Sequence, residues 1–294
     1  MPNFDLIMFD LDGTLVETAP EIMDATNDTL RHFGLPEVTQ QQVNDWIGHG
    51  TRSLLIQALA YVKNSTVEAI TTGEGLTVNL QAFDKFYQAR CGTRSHLYPQ
   101  VRETMLALRN QGVKLAVVTN KEGRYTDTVL NAHQLMPLLD KVVSGDTLSV
   151  KKPNPAGIES CLAQFGVTKE RALFVGDSSI DVATARNAEV AVWALPYGYN
   201  MGQPIESCAP DRVIPDISPL VALKRTNKNE QKRSHLKNFH RLLTSGFISN
   251  EPFLLKANHD SKNQSRYQRL RSHRSQRVSF CTHEFQRHRD CWHQ

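Results

Sequence analysis

Long apolar runs are missing from this 294-residue chain. Nothing approaches the ~20 uninterrupted apolar residues that a membrane-spanning helix needs, so no membrane partner is expected. Cysteine is scarce too. The five present, at 91, 161, 208, 281 and 291, are odd in number, irregular in spacing and without a CxxC pair. That argues against a disulfide framework and against a cysteine zinc site. A basic segment followed by a signal-type apolar run is also lacking, because Met1 leads almost at once into a strand-like stretch. The expected compartment is a reducing cytoplasm. No internal repeat is visible.

Charge is unevenly placed. Residues 224–294 hold 16 Lys and Arg against five Asp and Glu, whereas 1–223 hold 18 against 25. The formal net charge of +4 therefore averages an acidic body and a basic tail. The tail has only eight Ile, Leu or Val in 71 residues, too little burial to offset its ordering entropy, and it is expected to be disordered. An Arg- and His-rich arm can bind nucleic acid electrostatically. This one lacks aromatics interleaved at stacking spacing and lacks zinc-finger spacing, so a nucleic-acid partner is unsupported for the tail and not expected for the body.

Within the body, short apolar runs alternate with amphipathic stretches. Strands are expected at Leu6–Phe9, Leu115–Val118, Val142–Val143, Leu173–Val175, Val190–Ala194 and Val213–Ile214. Glycines at 34, 112 and 166 end the helical patterns between them. Such alternation implies crossover units and an α/β fold with a Rossmann-like parallel sheet. From Thr18 to about Arg94 no strand is convincing, and helical patterns such as "EIMDATNDTLRHF" and "TRSLLIQALAYV" follow one another. The expected division is a core of 1–17 and 95–223, an inserted helical cap at 18–94, and the tail at 224–294. Residues 64–79 show too weak a pattern for any reading.

Three expected strands end in polar residues: "LIMFDLDGT" in Asp10 and Asp12, "LAVVTNK" in Thr119, Asn120 and Lys121, and "LFVGDSSID" in Gly176, Asp177 and Ser178. In a parallel sheet these ends share one edge, where ligands of open α/β folds bind. Residues i and i+2 of an extended chain point to one side, so Asp10 and Asp12 can share a site. With Asp177 they form a cluster that repels itself unless a hard cation resolves it. Oxygen ligands in this number favour Mg²⁺ accompanied by a substrate phosphate. Thr119, Asn120 and the amides around Gly13 offer phosphate donors, and "KKPNP" (residues 151–155) supplies a lysine fixed by prolines. Together they suggest Mg²⁺-dependent phosphoryl transfer with a carboxylate nucleophile. Spacing does not decide whether that nucleophile is Asp10 or Asp12.

"DLDGT", "VVTNK", "KKPNP" and "VGDSSID", in this order, resemble the four motifs of the haloacid dehalogenase superfamily over residues 4–223. "DLDGTLVETAPEI", "WIGHG" and the run from "LYPQV" to "PYGYN" are similar to its phosphoglycolate phosphatase branch. The resemblance implies that Asp10 attacks phosphorus and that Asp12 protonates the leaving alkoxide and later deprotonates water. It implies that Thr119 binds the phosphoryl group and that Lys152 pairs with Asp10 and phosphate. Mg²⁺ would be held by Asp10, the carbonyl of Asp12 and Asp177. An acid/base residue at position 12 fits phosphatases and sugar phosphomutases, and argues against the dehalogenases and ion-pumping ATPases. The expected substrate is a small phosphorylated metabolite, 2-phosphoglycolate first. The alternatives are a sugar phosphomutase, a phosphatase for another small metabolite, or a nucleic-acid-binding protein on a vestigial scaffold.

Outside the motifs, His49, Arg52 and Lys121 are candidates for binding a substrate carboxylate. Asp181 stands at capping-box spacing from Ser178, balanced between a helix cap and support of the metal site. Lys151 is expected to be a solvated neighbour of Lys152, and Glu21, Asp24 and Asp28 the wet face of a cap helix.

Overall fold

The computed structural model describes residues 4–223; the expectation of disorder for 224–294 lies outside the described residues. The strands are β1 (Leu6–Phe9), β2 (Val16–Glu17), β3 (His96–Leu97), β4 (Lys114–Val118), β5 (Lys141–Val143), β6 (Ala172–Gly176), β7 (Ala191–Ala194) and β8 (Arg212–Val213). Between β2 and β3 lie α1 (Ala19–His32), α2 (Gln40–Trp46), α3 (Thr51–Val62), α4 (Val67–Thr72) and α5 (Leu76–Arg90). After β3 come α6 (Val101–Asn110), α7 (Gly123–Ala132), α8 (Ala156–Phe165) and α9 (Ser179–Asn187).

Six strands form one parallel sheet in the order β5-β4-β1-β6-β7-β8. The pleat sends alternate residues to opposite faces. Ile7, Phe9, Leu115, Val117, Leu173 and Val175 join one buried cluster, and Leu6, Met8, Ala116, Val118, Ala172 and Phe174 join the other. A strand covered on both faces has no polar positions to spare, which is why these three read as unbroken apolar runs. The fold is the expected α/β sheet. Because β1 is flanked by β4 and β6, the residues just past these three strands become neighbours.

The helical stretch carries its own logic. On α1 the buried residues include Ile22, Ala25, Thr26, Thr29 and Leu30, a helical stripe, and Gly34 just beyond the helix has φ of +67°. Helix α2 opens on a Thr39–Gln42 capping box. Helix α4 falls in the stretch whose pattern gave no reading, and none of its residues is buried. With no face to bury it carries no hydrophobic stripe, and only the Thr66 cap, accepting the Ala69 N–H at 3.1 Å, marks its start. Strands β2 and β3 pair as a two-residue antiparallel ribbon where the chain leaves for the helices and returns; two residues are too few for a period. Among the described residues no helix is long and apolar enough to cross a membrane.

Candidate active site

The ends of β1, β4 and β6 open onto a pocket of about 450 Å³ whose lining includes Asp10, Asp12, Thr119, Asn120, Lys121 and Asp177. Ile47, Gly48, Gly50, Thr51 and Leu54 line its other side. The wall is thus shared between the sheet edge and the helical stretch. Thr119 is buried here, and its Oγ1 accepts the Lys121 N–H at 3.3 Å.

Asp10 directly follows β1, its N–H bonded to the Val175 carbonyl at 2.9 Å. Its Oδ1 lies 2.8 Å from Lys152 Nζ, which also reaches Asp181 Oδ1 at 2.7 Å. Burial pushes the Asp10 carboxyl up to about 6; Lys152 opposes the shift, and Asp181 and Asp12 add to it. Burial works against charge on Lys152, but Asp10 and Asp181 outweigh it and hold the ammonium firmly protonated. Asp181 takes the helix-cap role and also meets Lys152. Its Oδ2 accepts the Ser178 N–H at 3.0 Å and the Ser178 hydroxyl at 2.7 Å, capping α9, while Oδ1 faces Lys152.

Asp177 directly follows β6 and is clasped by the Thr14 hydroxyl at 2.5 Å and the Tyr199 N–H at 2.6 Å. Two glycines make room for it. A β-carbon at Gly13, whose φ is +84°, would fall 2.3 Å from Asp177 Oδ2, and one at Gly198 would fall 2.1 Å from the same atom. Gly13 therefore shapes the Asp177 seat as well as the turn. Burial lifts the Asp177 carboxyl well above the ordinary range, and Asp181 and Asp10 add to the shift. Carboxylate oxygens of Asp10, Asp177 and Asp181 lie within 4.8 Å of one another. Three buried acids this close, two of them resisting ionisation, suit a hard divalent cation that would relieve both burial and repulsion. The Asp12 carboxylate is outside that cluster.

Asp12 is held by different partners. Its Oδ1 accepts the Thr18 hydroxyl at 2.7 Å, and Lys121 Nζ sits 3.0 Å and 3.2 Å from its two oxygens. Asn120, a candidate phosphate donor, has its side-chain amide engaged: Nδ2 donates to the Gly48 and Lys152 carbonyls, and Oδ1 accepts the Lys152 N–H at 2.8 Å. It ties the loop of the helical stretch to the Lys152 backbone. His49 and Arg52 are exposed and do not line the pocket. Lys151 is partly exposed and 3.5 Å from Glu122 Oε1.

The wet-face reading of α1 needs correction. Glu21 is fully buried, and its Oε2 accepts the backbone N–H groups of Gly92, Arg94 and Ser95 at 2.9, 3.3 and 3.1 Å. Asp24 and Asp28 are mostly covered and pair with Arg94 and Arg90. The face looks toward α5 and the returning chain. A signal existed: Glu21 stands four residues before Ala25, on its buried stripe.

Residues 7–195 match the model of the haloacid dehalogenase-like hydrolases. The chain belongs to that family. Over 226 residues it is 37% identical to the phosphoglycolate phosphatase of Vibrio cholerae serotype O1, covering 75% of this chain and 97% of that one. The phosphoglycolate phosphatase of Haemophilus influenzae strain 86-028NP is 38% identical over 221 residues, with 75% and 98% covered. Among solved structures, a predicted phosphoglycolate phosphatase from Haemophilus somnus 129PT superposes with a TM-score of 0.70 at 33% identity, covering 75% of this chain and 97% of that one. The match takes in every residue described around the pocket except Gly198 and Tyr199. This family member thus carries two aspartates two positions apart, each beside its own buried lysine.

Proposed function

We propose that the chain is a Mg²⁺-dependent phosphatase that hydrolyses a small phosphomonoester through a phosphorylated Asp10, with 2-phosphoglycolate as the substrate. One observation supports the division of labour most directly. Asp10 pairs with Lys152 and Asp12 with Lys121, so two carboxylates in one pocket stand in different electrostatic surroundings. The identity to proteins named phosphoglycolate phosphatase supports the substrate. On this reading residues 18–94 form a cap over a core of 4–17 and 95–223, and the enzyme works in the cytoplasm.

In the first half-reaction a carboxylate oxygen of Asp10 attacks phosphorus and the ester P–O bond breaks. The leaving alkoxide takes the proton of the Asp12 carboxylic acid. Lys152, already beside Asp10, balances charge as the new bond forms, and the Thr119 hydroxyl holds a phosphoryl oxygen. In the second half-reaction the Asp12 carboxylate takes a proton from water, the water oxygen attacks phosphorus, and the bond to Asp10 breaks, releasing phosphate. Mg²⁺, held by Asp10, Asp177 and the Asp12 carbonyl, would offset the charge of the phosphoryl oxygens.

The test is a phosphate-release screen over small phosphomonoesters, with and without Mg²⁺, on wild type and Asp10→Asn. The expected outcome is metal-dependent release with 2-phosphoglycolate giving the highest kcat/KM, and a fall of at least ~10³-fold in Asp10→Asn. Equal release by both proteins would remove Asp10 as the nucleophile. Hexose phosphates outranking 2-phosphoglycolate would overturn the substrate and leave the reaction class standing.

A further inference from the structure

Lys121 was a candidate for reading a substrate carboxylate, but its surroundings give it other work. Its side chain is 1% exposed, although the residue lines the pocket. An ammonium has three N–H donors, and three partners surround this one: both oxygens of Asp12 at 3.0 and 3.2 Å and the Tyr87 hydroxyl at 2.5 Å. No donor is left to reach outward. Burial opposes the charge on Lys121, and Asp12, Cys91 and Glu21 together more than restore it.

The tyrosine is itself immobilised. Tyr87 is fully buried in α5, its ring packed 4.5 Å from Tyr125 and 5.5 Å from Phe83 between centroids. Lys121 Nζ also lies 4.9 Å from the centroid of the Tyr87 ring, a distance at which a cation is attracted to the aromatic face. The ammonium is therefore fixed on one side by a rigid aromatic cluster and grips Asp12 on the other. Thr18 adds only one bond to one oxygen of that carboxylate. A carboxylate held by a single hydroxyl can rotate about its Cβ–Cγ bond, and one straddled by a fixed ammonium cannot.

We infer that Lys121, anchored by Tyr87, is the positioning residue that aims the Asp12 carboxyl at the leaving oxygen. The inference rests on the reading of Asp12 as acid/base. Lys121 moves no proton and touches no reacting atom; it fixes the torsion of the group that does. Misaiming a catalytic group by about 1 Å can cost ~10²-fold.

Leaving-group chemistry separates aiming from general damage. A 2-phosphoglycolate alkoxide needs a proton to depart, whereas p-nitrophenolate leaves without one. Because kcat/KM ends at the first irreversible step, it reports substrate binding and phosphorylation of Asp10 and leaves out the later dephosphorylation. Full-length Lys121→Met, Lys121→Arg, Tyr87→Phe and Asp12→Asn proteins should be assayed with Mg²⁺ on 2-phosphoglycolate and p-nitrophenyl phosphate. Lys121→Met should lose ~10²-fold in kcat/KM on 2-phosphoglycolate, at least tenfold more than on p-nitrophenyl phosphate, and mainly through kcat. Asp12→Asn should show the same asymmetry enlarged. Lys121→Arg should recover part of the loss, and Tyr87→Phe should lose about three- to tenfold with the same preference.

Equal losses on both esters in Lys121→Met would overturn the inference. So would a raised KM for 2-phosphoglycolate with kcat intact, the signature of substrate reading. If Lys121→Met fails to fold, Tyr87→Phe decides, because it removes only the anchoring hydroxyl; a loss shared equally by both esters, or no loss, would then refute the anchor. Full activity in Asp12→Asn would instead remove the acid/base reading itself. A crippled Asp12→Asn beside an unimpaired Lys121→Met would remove only the role of Lys121.

Discussion

Asp10 and Asp12 are two residues apart, yet different parts of the molecule hold them. The surroundings of Asp10 come from the sheet edge: Lys152 precedes α8, Asp181 lies in α9, and Asp177 directly follows β6. Those of Asp12 reach into the helices inserted between β2 and β3. Thr18 is the residue before α1, and Tyr87, which braces Lys121, belongs to α5. On the proposed mechanism the phosphoryl-accepting end is therefore built into the parallel sheet, and the proton-handling end depends on how the helical stretch is seated. A disturbance of α1 or α5 should reach Asp12 first.

Lys152→Met attacks the sheet side most severely. It leaves Asp10 and Asp181 buried without their cation, so a stability loss of about 3–5 kcal/mol is expected, with a fall of ~10²–10³-fold in kcat/KM. Because Lys152 faces Asp10, the proposed nucleophile, the loss should be alike for 2-phosphoglycolate and p-nitrophenyl phosphate. A marked preference between the two esters would erase the distinction between the two lysines.

The proposed Mg²⁺ belongs to the same side, with the acidic cluster of Asp10, Asp177 and Asp181. A ligand that binds only the folded state raises the melting temperature by mass action. Adding Mg²⁺ to metal-free wild type should therefore raise Tm by several degrees, and Asp177→Asn should abolish most of that rise. Lys121→Met should keep it, since the acidic cluster of Asp10, Asp177 and Asp181 excludes the Asp12 carboxylate. Thermal unfolding with and without EDTA reads both without any turnover.

Much of the sheet side is legible in the sequence, and the helix side is much less so. Parallel strands buried on both faces must be apolar throughout, so β1, β4 and β6 announce themselves and their polar ends mark the pocket. Asp10, Thr119, Lys152 and Asp177 follow from those ends and the family motifs. The partner of Asp12 does not, because Lys121 is 109 residues away and nothing local says which carboxylate an ammonium will meet. Glu21 was missed for a related reason. Its three partners are backbone N–H groups of a connecting segment, and backbone donors carry no residue-type signature.

Glu21 gives a smaller, structural test of the helix side. Replacing it with Ala leaves the N–H groups of Gly92, Arg94 and Ser95 without their shared acceptor. At about 1 kcal/mol for each net bond, the expected loss is about 3 kcal/mol in chemical denaturation. Since that segment is where the chain returns from α5, the activity remaining in folded protein should drop more on 2-phosphoglycolate than on p-nitrophenyl phosphate. A stable Glu21→Ala protein with unchanged ester preference would show that the seat of the helices does not reach Asp12.

The smallest effect concerns the same segment. His133 Nε2 lies 2.9 Å from the Ser95 hydroxyl. Burial, with His96 and Arg102 nearby, lowers its pKa below the ordinary 6.5. An unfolded chain therefore takes up a proton on this imidazole at a higher pH than the folded chain does. Between the two pKa values the unfolded state holds more protons, so stability rises with pH there and is lost as pH falls through 6.5 toward the folded value. The imidazole is only partly buried, so the slope should be shallow. Urea midpoints measured from pH 7.5 down to pH 5 should therefore rise in His133→Gln relative to wild type, since the glutamine keeps a polar group near Ser95 but cannot titrate. Identical pH dependence in the two proteins would remove His133 as a contributor, because the raised Asp10 and Asp177 carboxyls shift stability in the opposite direction as pH falls.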